Sequence, residues 1–299
     1  MKLHARLFPA FVGFARQHVA SGDIDPTYPV LRNVYKAERC DIDHALWRTF
    51  LYVVWYNLRS AEAMWKIAPA PASLPVPELL ASGLPATGTE RRGFRGLAGY
   101  RLARAHVDAV LMRTGGDLRG WVESAAGPGG EEGWRRIRKE WQTLPHGGPW
   151  SSYKWADLLA HVHGYPITAD DIGVGGGSPT AGPIPGMVAL TGESWKRCAA
   201  DVPFQRELLA RCHDQGVSFS GLDQMETSLC DFNSMLKGGY YVGHDIDQQQ
   251  QVFQTSSAVW WEARAASFRP KYLGESNGWI GVRPKLNDHF KKTGKVWFP

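Results

Sequence analysis

The densest apolar stretch of the chain is residues 44–58, HALWRTFLYVVWYNL. As a helix it is apolar on nearly every face, which is typical of a central, buried helix. Its one full charge is Arg48, and a guanidinium in that setting needs an anionic partner, because an unpaired charge in the interior is costly. Tyr52 and Trp55 share its helical face. Arg48 is therefore predicted either to clamp a carboxylate or phosphate beside a stacking surface, or to form a structural ion pair with a nearby acid.

The rest of the chain also has helical spacing of its apolar residues, and period-two alternation is hard to find, so we predict a mainly α fold. Two segments interrupt the pattern. The Pro/Ala-rich residues 69–88 are expected to be a linker or wrapping loop, and the Gly/Pro-rich residues 171–186, DIGVGGGSPTAGPIPG, a flexible loop. We predict a helical domain over residues 1–268, which a linker near 69–90 would divide into two lobes, and an irregular basic tail over 269–299. Helices are predicted at residues 8–21, 26–40, 43–68, 93–113, 131–143, 151–164, 203–215, 222–237 and 244–267.

Composition excludes several classes of protein. A chain of 299 residues with 43% hydrophobic residues can bury a substantial core. The apolar runs are too short for a membrane span and the N-terminal stretch does not resemble a secretory signal, so we expect a soluble protein with no membrane partner. The four cysteines form no CxxC pair, which argues against a disulfide framework or a metal site. The glycine-rich segment lacks the phosphate-loop and dinucleotide fingerprints, so no cofactor is expected.

Positive charge is unevenly distributed along the chain, whose net charge is +5. Basic clusters with interleaved aromatic residues suit a phosphate backbone and stacked bases, although ordinary solvated surface accounts equally well for any one cluster. The predicted DNA-binding residues are Arg91, Arg92, Arg95, Arg135, Arg136, Lys285, Lys291 and Lys292.

The most informative helix is residues 222–237, LDQMETSLCDFNSMLK. An apolar seam runs through Leu222, Met225, Leu229, Phe232 and Leu236. The adjacent stripe carries an acid, a thiol, an amide and an amine, and it could hold a general base and a cation for a leaving group. The alternative is the usual polar face of an amphipathic helix, and Asp231 is expected to point further from the seam. The stripe consists of Asp223, Glu226, Cys230, Asn233 and Lys237.

The following segment, GGYYVGHDID, leads into another predicted helix. His244 beside Asp245 and Asp247 could be a proton-transfer unit. Acids in a first helical turn are also commonly just matched to the helix dipole, so this alternative stays open.

Several ordered blocks of the sequence resemble the bacteriophage amino acid:DNA transferases. The blocks are DPTYPVLRNVYKAERCDIDHALWRTFLYVVWYN, WSSYKWADLLAHVHGYPI, DIGVGGGSPTAGPIPG and ETSLCDFNSMLKGGYYVGHDID. The resemblance covers roughly residues 5–255 and leaves the basic tail outside.

The resemblance implies a helical catalytic domain related to helix-hairpin-helix DNA glycosylases, working in the cytoplasm of an infected bacterium. The implied substrate is 5-hydroxymethyl-deoxyuridine in double-stranded phage DNA, phosphorylated or pyrophosphorylated by a partner kinase. The enzyme would replace that leaving group with the amine of a free amino acid such as glycine or serine.

That chemistry assigns roles to the residues named above. A flipped base needs aromatic contacts, for which Tyr52, Trp55, Tyr240 and Tyr241 are candidates. The amine must lose a proton before attack, and the phosphate and carboxylate need cations. Cys230, with Asn233 also facing the substrate, would either add to C6 of the uracil or be inert. The predicted bases are Glu226, Asp231, His244 and Asp245, and the predicted anion-binding residues are Arg48, Lys154 and Lys237.

Two other functions compete with the transferase. One is a glycosylase-like hydrolase that excises a modified base, with Asp231 or Glu226 activating water. The other is a DNA-binding module without catalysis.

Overall fold

A computed structural model describes residues 1–80, 83–173, 182–253, 256–269, 272–273 and 292–293, apart from the side chains of Thr89, Arg92 and Gln251. The prediction of a mainly α fold is confirmed: no β-strand occurs in these ranges, and one isolated bridge joins Gly130 and Ile167. Two 3₁₀ helices cover Pro77–Leu79 and Thr89–Phe94. The α-helices of the described ranges are α1 (Leu7–Ser21), α2 (Thr27–Ala37), α3 (Ile42–Trp55), α4 (Leu58–Ile67), α5 (Gly96–Thr114), α6 (Leu118–Ala126), α7 (Gly130–Gln142), α8 (Pro149–His161), α9 (Ile184–Thr191), α10 (Trp195–Ala200), α11 (Val202–Asp214), α12 (Leu222–Leu236), α13 (His244–Phe253) and α14 (Ala258–Ser267).

The chain forms two compact units. The first comprises Met1–Asn33 and Ala169–Pro299, and the second Val34–Thr168. The predicted linker near residues 69–90 lies inside the second unit. There the Tyr100 hydroxyl donates to the carbonyl of Pro75 at 2.9 Å and Arg104 Nε donates to that of Leu74 at 2.8 Å, so this stretch wraps against α5.

The prediction of one helix over residues 43–68 is wrong, because the chain breaks between α3 and α4. Tyr56 has a left-handed backbone, φ 46°, which ends α3. The side chain of Asn57 accepts a hydrogen bond from the backbone N–H of Ser60 at 3.1 Å, which is an N-cap for α4.

Three helices, α6, α9 and α10, were absent from the prediction. Helix α9 begins at Ile184, inside the segment expected to be irregular, while residues 174–181 of that segment lie outside the described ranges. The predicted helix over 244–267 is described as α13 and α14, with residues 254–255 also outside. The tail over residues 269–299, predicted to be irregular, lies almost wholly outside the described ranges as well. Within the described ranges, no helix combines the length and the apolarity that crossing a bilayer requires.

Helix α3 lies in the core of the second unit, as its sequence predicts. Trp47, Phe50 and Trp55 are fully buried, and each such burial contributes on the order of 1.5–3 kcal/mol. The Phe50 ring contacts the rings of Trp141 and Trp155 at 5.7 and 6.2 Å between centroids. Aromatic side chains from α7 and α8 therefore enclose this helix.

Helix α12 is the corresponding centre of the first unit. Its seam is buried at Leu222, Met225, Leu229 and Phe232, and half-buried at Leu236. Phe232 packs edge-on against Phe11 of α1, 5.3 Å between ring centroids. This packing fixes the position of the polar side chains on α12.

Candidate active site

Five carboxylates of the first unit form what we call the acid cluster: Asp23, Asp25, Glu226, Asp231 and Asp245. Two come from the turn after α1, two from α12 and one from the first turn of α13. The other four carboxylates lie near enough to Asp231 to raise its pKa. Helix α12, held by its apolar seam, thus brings two acids to two others that are about 200 residues away in the chain.

Asp23 anchors the start of α13. Its carboxylate accepts hydrogen bonds from the backbone N–H groups of Gly243 at 2.6 Å and Ile246 at 3.0 Å, and from the Tyr240 hydroxyl at 2.5 Å. Burial, together with the charge of Asp245, raises the pKa of Asp23 to about 7 although these donors lower it. With three donors on its oxygens, Asp23 is a positioning group.

His18 is fully buried beside the cluster. Its Nδ1 lies 2.9 Å from the Ser228 hydroxyl and its Nε2 lies 3.1 Å from the Tyr240 hydroxyl. Burial lowers the pKa of His18 to about 3, so the ring is neutral at physiological pH. Because the Tyr240 hydroxyl donates to Asp23, Nε2 carries the ring proton and Nδ1 accepts from Ser228.

Asp231 is the least satisfied acid of the cluster. Its Oδ2 is buried without a hydrogen-bond partner, 3.5 Å from His18 Nε2, while its side chain stays 16% exposed. Burial raises the pKa of Asp231 well above its ordinary value, and the charges of Asp245, Asp23, Asp25 and Glu226 raise it further. Asp231 lies off the apolar seam of α12, and there its carboxylate faces the buried ring of His18.

Most of the predicted proton-transfer and base-contacting residues of this unit lie around the cluster. Glu226 is only 3% exposed, which contradicts a solvated polar face. His244 Nδ1 lies 2.7 Å from Asp245 Oδ1, and its ring contacts those of Tyr240 and Tyr241. Both tyrosine rings are buried, with the Tyr241 hydroxyl donating to Asp247 at 2.8 Å.

Three further residues predicted to contact the substrate lie along α12 or at its end. Cys230 and Asn233 are half-buried, and Lys237 is the exposed C-cap residue. Lys237 lies six residues beyond Asp231, about 9 Å along a helix axis.

The other predicted contact residues belong to the second unit. Arg48 pairs with Glu38 and covers the Trp65 ring at 5.1 Å, so the structural ion pair accounts for its charge. Lys154 is buried and pairs with Asp157 at 3.1 Å. Tyr52 and Trp55 are buried, and Trp55 stacks on Tyr100 at 5.6 Å. No exposed stacking surface forms at these two rings.

The predicted DNA-binding residues differ in exposure. Arg91 is buried rather than part of a solvated patch. Arg95 and Arg135 are exposed, Arg135 pairing with Glu132 at 2.7 Å. Arg136 is also exposed and lines a cavity of about 320 Å³ with Lys139. Lys292 is exposed, whereas Lys285, Lys291 and the side chain of Arg92 lie outside the described part.

Reasoning from the sequence missed four members of this site: His18, Asp23, Asp25 and Ser228. Asp25 stands at the start of a quoted block without a functional role assigned to it, and its carboxylate accepts from the Thr227 hydroxyl at 2.9 Å. The signal was the pair of acids in SGDIDP, directly after α1. Nothing local indicates that His18, on an apolar helix, faces α12.

No curated protein matches the chain. The family model described as "Amino acid:DNA transferase" matches residues 86–241, just over half of the chain, including α12 and Tyr240. The chain therefore belongs to the amino acid:DNA transferase family.

Proposed function

We propose that this transferase replaces the phosphate or pyrophosphate of 5-(pyro)phosphomethyl-deoxyuridine in phage DNA with an amino acid, glycine or serine, joined through its α-amine. Membership of a family that transfers amino acids to DNA supports the reaction class. The acid cluster supports the choice of an amine as the incoming group, because accumulated negative charge attracts an ammonium.

The single observation that carries the proposal is the environment of Asp231. A general base works best when its pKa lies near the operating pH, and burial beside four carboxylates raises the pKa of Asp231 in that direction. Its Oδ2 has no hydrogen-bond donor among the described residues. An incoming ammonium supplies that donor and the compensating charge.

The proposed reaction has two steps, a proton transfer and a displacement. The ammonium loses one proton to the Asp231 carboxylate, which leaves a lone pair on nitrogen. That lone pair attacks the exocyclic carbon of the pyrimidine, a C–N bond forms, and the C–O bond to phosphate breaks with its electron pair leaving on the phosphate oxygen. We propose that the ammonium of exposed Lys237, at the end of the same helix, stabilises the negative charge of the leaving phosphate.

His18, Tyr240 and Asp23 act as positioning residues in this scheme. Their hydrogen bonds join α1 and α13 at the face of α12 that carries Asp231. The neutral His18 ring packs beside the Asp231 carboxylate, with Nε2 3.5 Å from Oδ2.

The setting of the reaction belongs to the same proposal. A pyrimidine carbon inside a duplex is inaccessible, so the nucleotide must be flipped out, as helix-hairpin-helix glycosylases do. A 5-hydroxymethyluracil DNA kinase would supply the activated substrate, in the cytoplasm of a phage-infected bacterium.

The test uses purified protein, duplex DNA carrying phosphomethyl-deoxyuridine, and a mixture of amino acids, with nucleosides analysed by mass spectrometry. We expect an amino-acid adduct in intact strands, and in Asp231→Asn a rate lower by about a hundredfold or more, the usual contribution of a general base. Asp214→Asn, an exposed aspartate on α11, is the matched control and should retain the rate. Abasic sites, or equal rates for both variants, would contradict the proposal.

A further inference from the structure

The second unit contains a cavity of about 510 Å³ that the proposed function does not use. Its lining includes Arg91, Phe94, Leu102 and the residues His146–Gly148 that precede α8. A cavity of this volume falls in the range of small-molecule sites.

Arg91 is the unusual side chain of this cavity. It is only 8% exposed, and its guanidinium carbon lies 4.1 Å from the centre of the Phe94 ring. Nε donates to the carbonyl of Val54 at 3.1 Å, whereas Nη2 is buried without any hydrogen-bond partner. A buried guanidinium with unused N–H groups is costly, and an anion in the cavity would remove that cost.

A second source of positive potential adjoins the same space. Gly148 is the N-cap of α8, no side chain caps the helix, and Pro149 stands at its first position. The backbone N–H groups of Trp150 and Ser151 belong to the first turn of α8 and precede the first intrahelical donor, Ser152, which bonds the Gly148 carbonyl at 3.0 Å. Because Gly147 and Gly148 line the cavity, the N-terminus of α8 and the positive end of its dipole adjoin the cavity.

The loop that forms this wall has a constrained backbone. His146 has φ 62°, and a Cβ at Gly147 would collide with the carbonyl oxygen of Trp141. The buried His106 ring holds the loop through its Nδ1, 2.6 Å from the carbonyl oxygen of Pro145. The wall is thus shaped before any ligand arrives.

We propose that this cavity is a phosphate-binding site, with Arg91 and the N-terminus of α8 as its donors. A tetrahedral phosphate can place oxygens toward both a guanidinium edge and two backbone N–H groups, whereas a carboxylate has only two oxygens to share. Glu90 also lines the cavity, but it is exposed and its charge is screened by solvent. The phosphate could be a free ion or a phosphodiester of DNA, and the site is independent of the proposed reaction.

Calorimetric titration of the full chain with inorganic phosphate, pyrophosphate and glycine tests the site. The decisive variants are on α5: Leu102 lines the cavity and is 39% exposed, so Leu102→Glu adds a negative charge without disturbing the core. Leu97→Glu, at a 46% exposed position outside the lining, is the matched control. We expect saturable phosphate binding, weakened about tenfold or more by Leu102→Glu and not by Leu97→Glu.

A competition experiment identifies the source of the phosphate. If saturating phosphate displaces a short duplex at constant ionic strength, the site takes the DNA backbone, and if it does not, the site takes a free anion. Absence of saturable phosphate and pyrophosphate binding, binding of glycine alone, or equal weakening in both leucine variants would overturn the proposal. Loss of amino-acid transfer with phosphate binding intact would refute only the proposed function.

Discussion

Individual residues separate the two chemical routes that the sequence left open. A reactive thiolate is favoured beside cations, whereas Cys230 stands between the carboxylates Glu226 and Asp231 on α12. We therefore expect Cys230→Ala to keep near-normal single-turnover rates, which would exclude addition of the thiol to C6 of the uracil. A loss comparable to that of Asp231→Asn would instead favour the covalent route.

Asp231 also determines how the transfer rate depends on pH. Its folded pKa lies above the ordinary value because of burial and neighbouring acids, and only the carboxylate can accept a proton. With DNA saturating, we expect kcat/KM for the amino acid to fall as the pH drops through this raised pKa. His18→Gln removes the ring beside Asp231 and should move this acidic limb, whereas a purely structural role would lower the rate without moving it.

At the scale of helix packing, a glycine of α9 allows α12 to approach closely and so fixes its position. A Cβ at Gly186 of α9 would collide with the carbonyl oxygen of Leu229 on α12. We expect Gly186→Ala to lower the free energy of unfolding by about 1–3 kcal/mol in urea titrations, as overpacking does. Gly13→Ala, on α1 with open space at its Cβ, should instead raise it by roughly 0.5–1 kcal/mol. Equal effects would show that α9 and α12 can separate without cost.

The break between α3 and α4 has its own test. Asn57→Ala removes the cap on Ser60 and should cost about 1 kcal/mol of unfolding free energy in urea titrations, while Asn57→Ser keeps an acceptor and should cost less. The same loss in both variants would contradict the capping role.

Among the helices, the sequence predicted those features that follow from the spacing of apolar residues. The apolar seam of α12 and the burial of α3 follow from spacing alone. The break at Tyr56 did not, because a single left-handed residue interrupts an otherwise continuous apolar pattern. Nor did the burial of Glu226, since a polar stripe has the same spacing whether it faces water or a cluster of other acids. His18 and Asp23 joined the site only through tertiary packing, which no local pattern records.

Across the whole molecule, burial shifts the pKa of histidines and of Asp23 in opposite directions, so their contributions to stability depend on pH with opposite sign. In the second unit, burial lowers the pKa of His106 and of His163 to about 4. Groups with lowered pKa contribute stability above their unfolded pKa, near 6.5, and that stability is lost as the pH falls toward 4. In the first unit Asp23 has a raised pKa of about 7. Its contribution is full below its unfolded pKa and is lost as the pH rises through 7.

Two variants should therefore show opposite pH dependence. Relative to the parent protein, the destabilisation caused by His106→Gln should shrink by about 1.4 kcal/mol per pH unit on going from pH 6.5 to 4.5, because only the parent must bury an imidazole that tends to protonate. The destabilisation caused by Asp23→Asn should shrink by a similar amount per unit on going from pH 4.5 to 6.5, because only the parent must then bury a charged carboxylate. Urea unfolding at three pH values measures both. If the destabilisation caused by either variant did not change with pH, water would reach that buried group in the native state, and burial would not control its protonation.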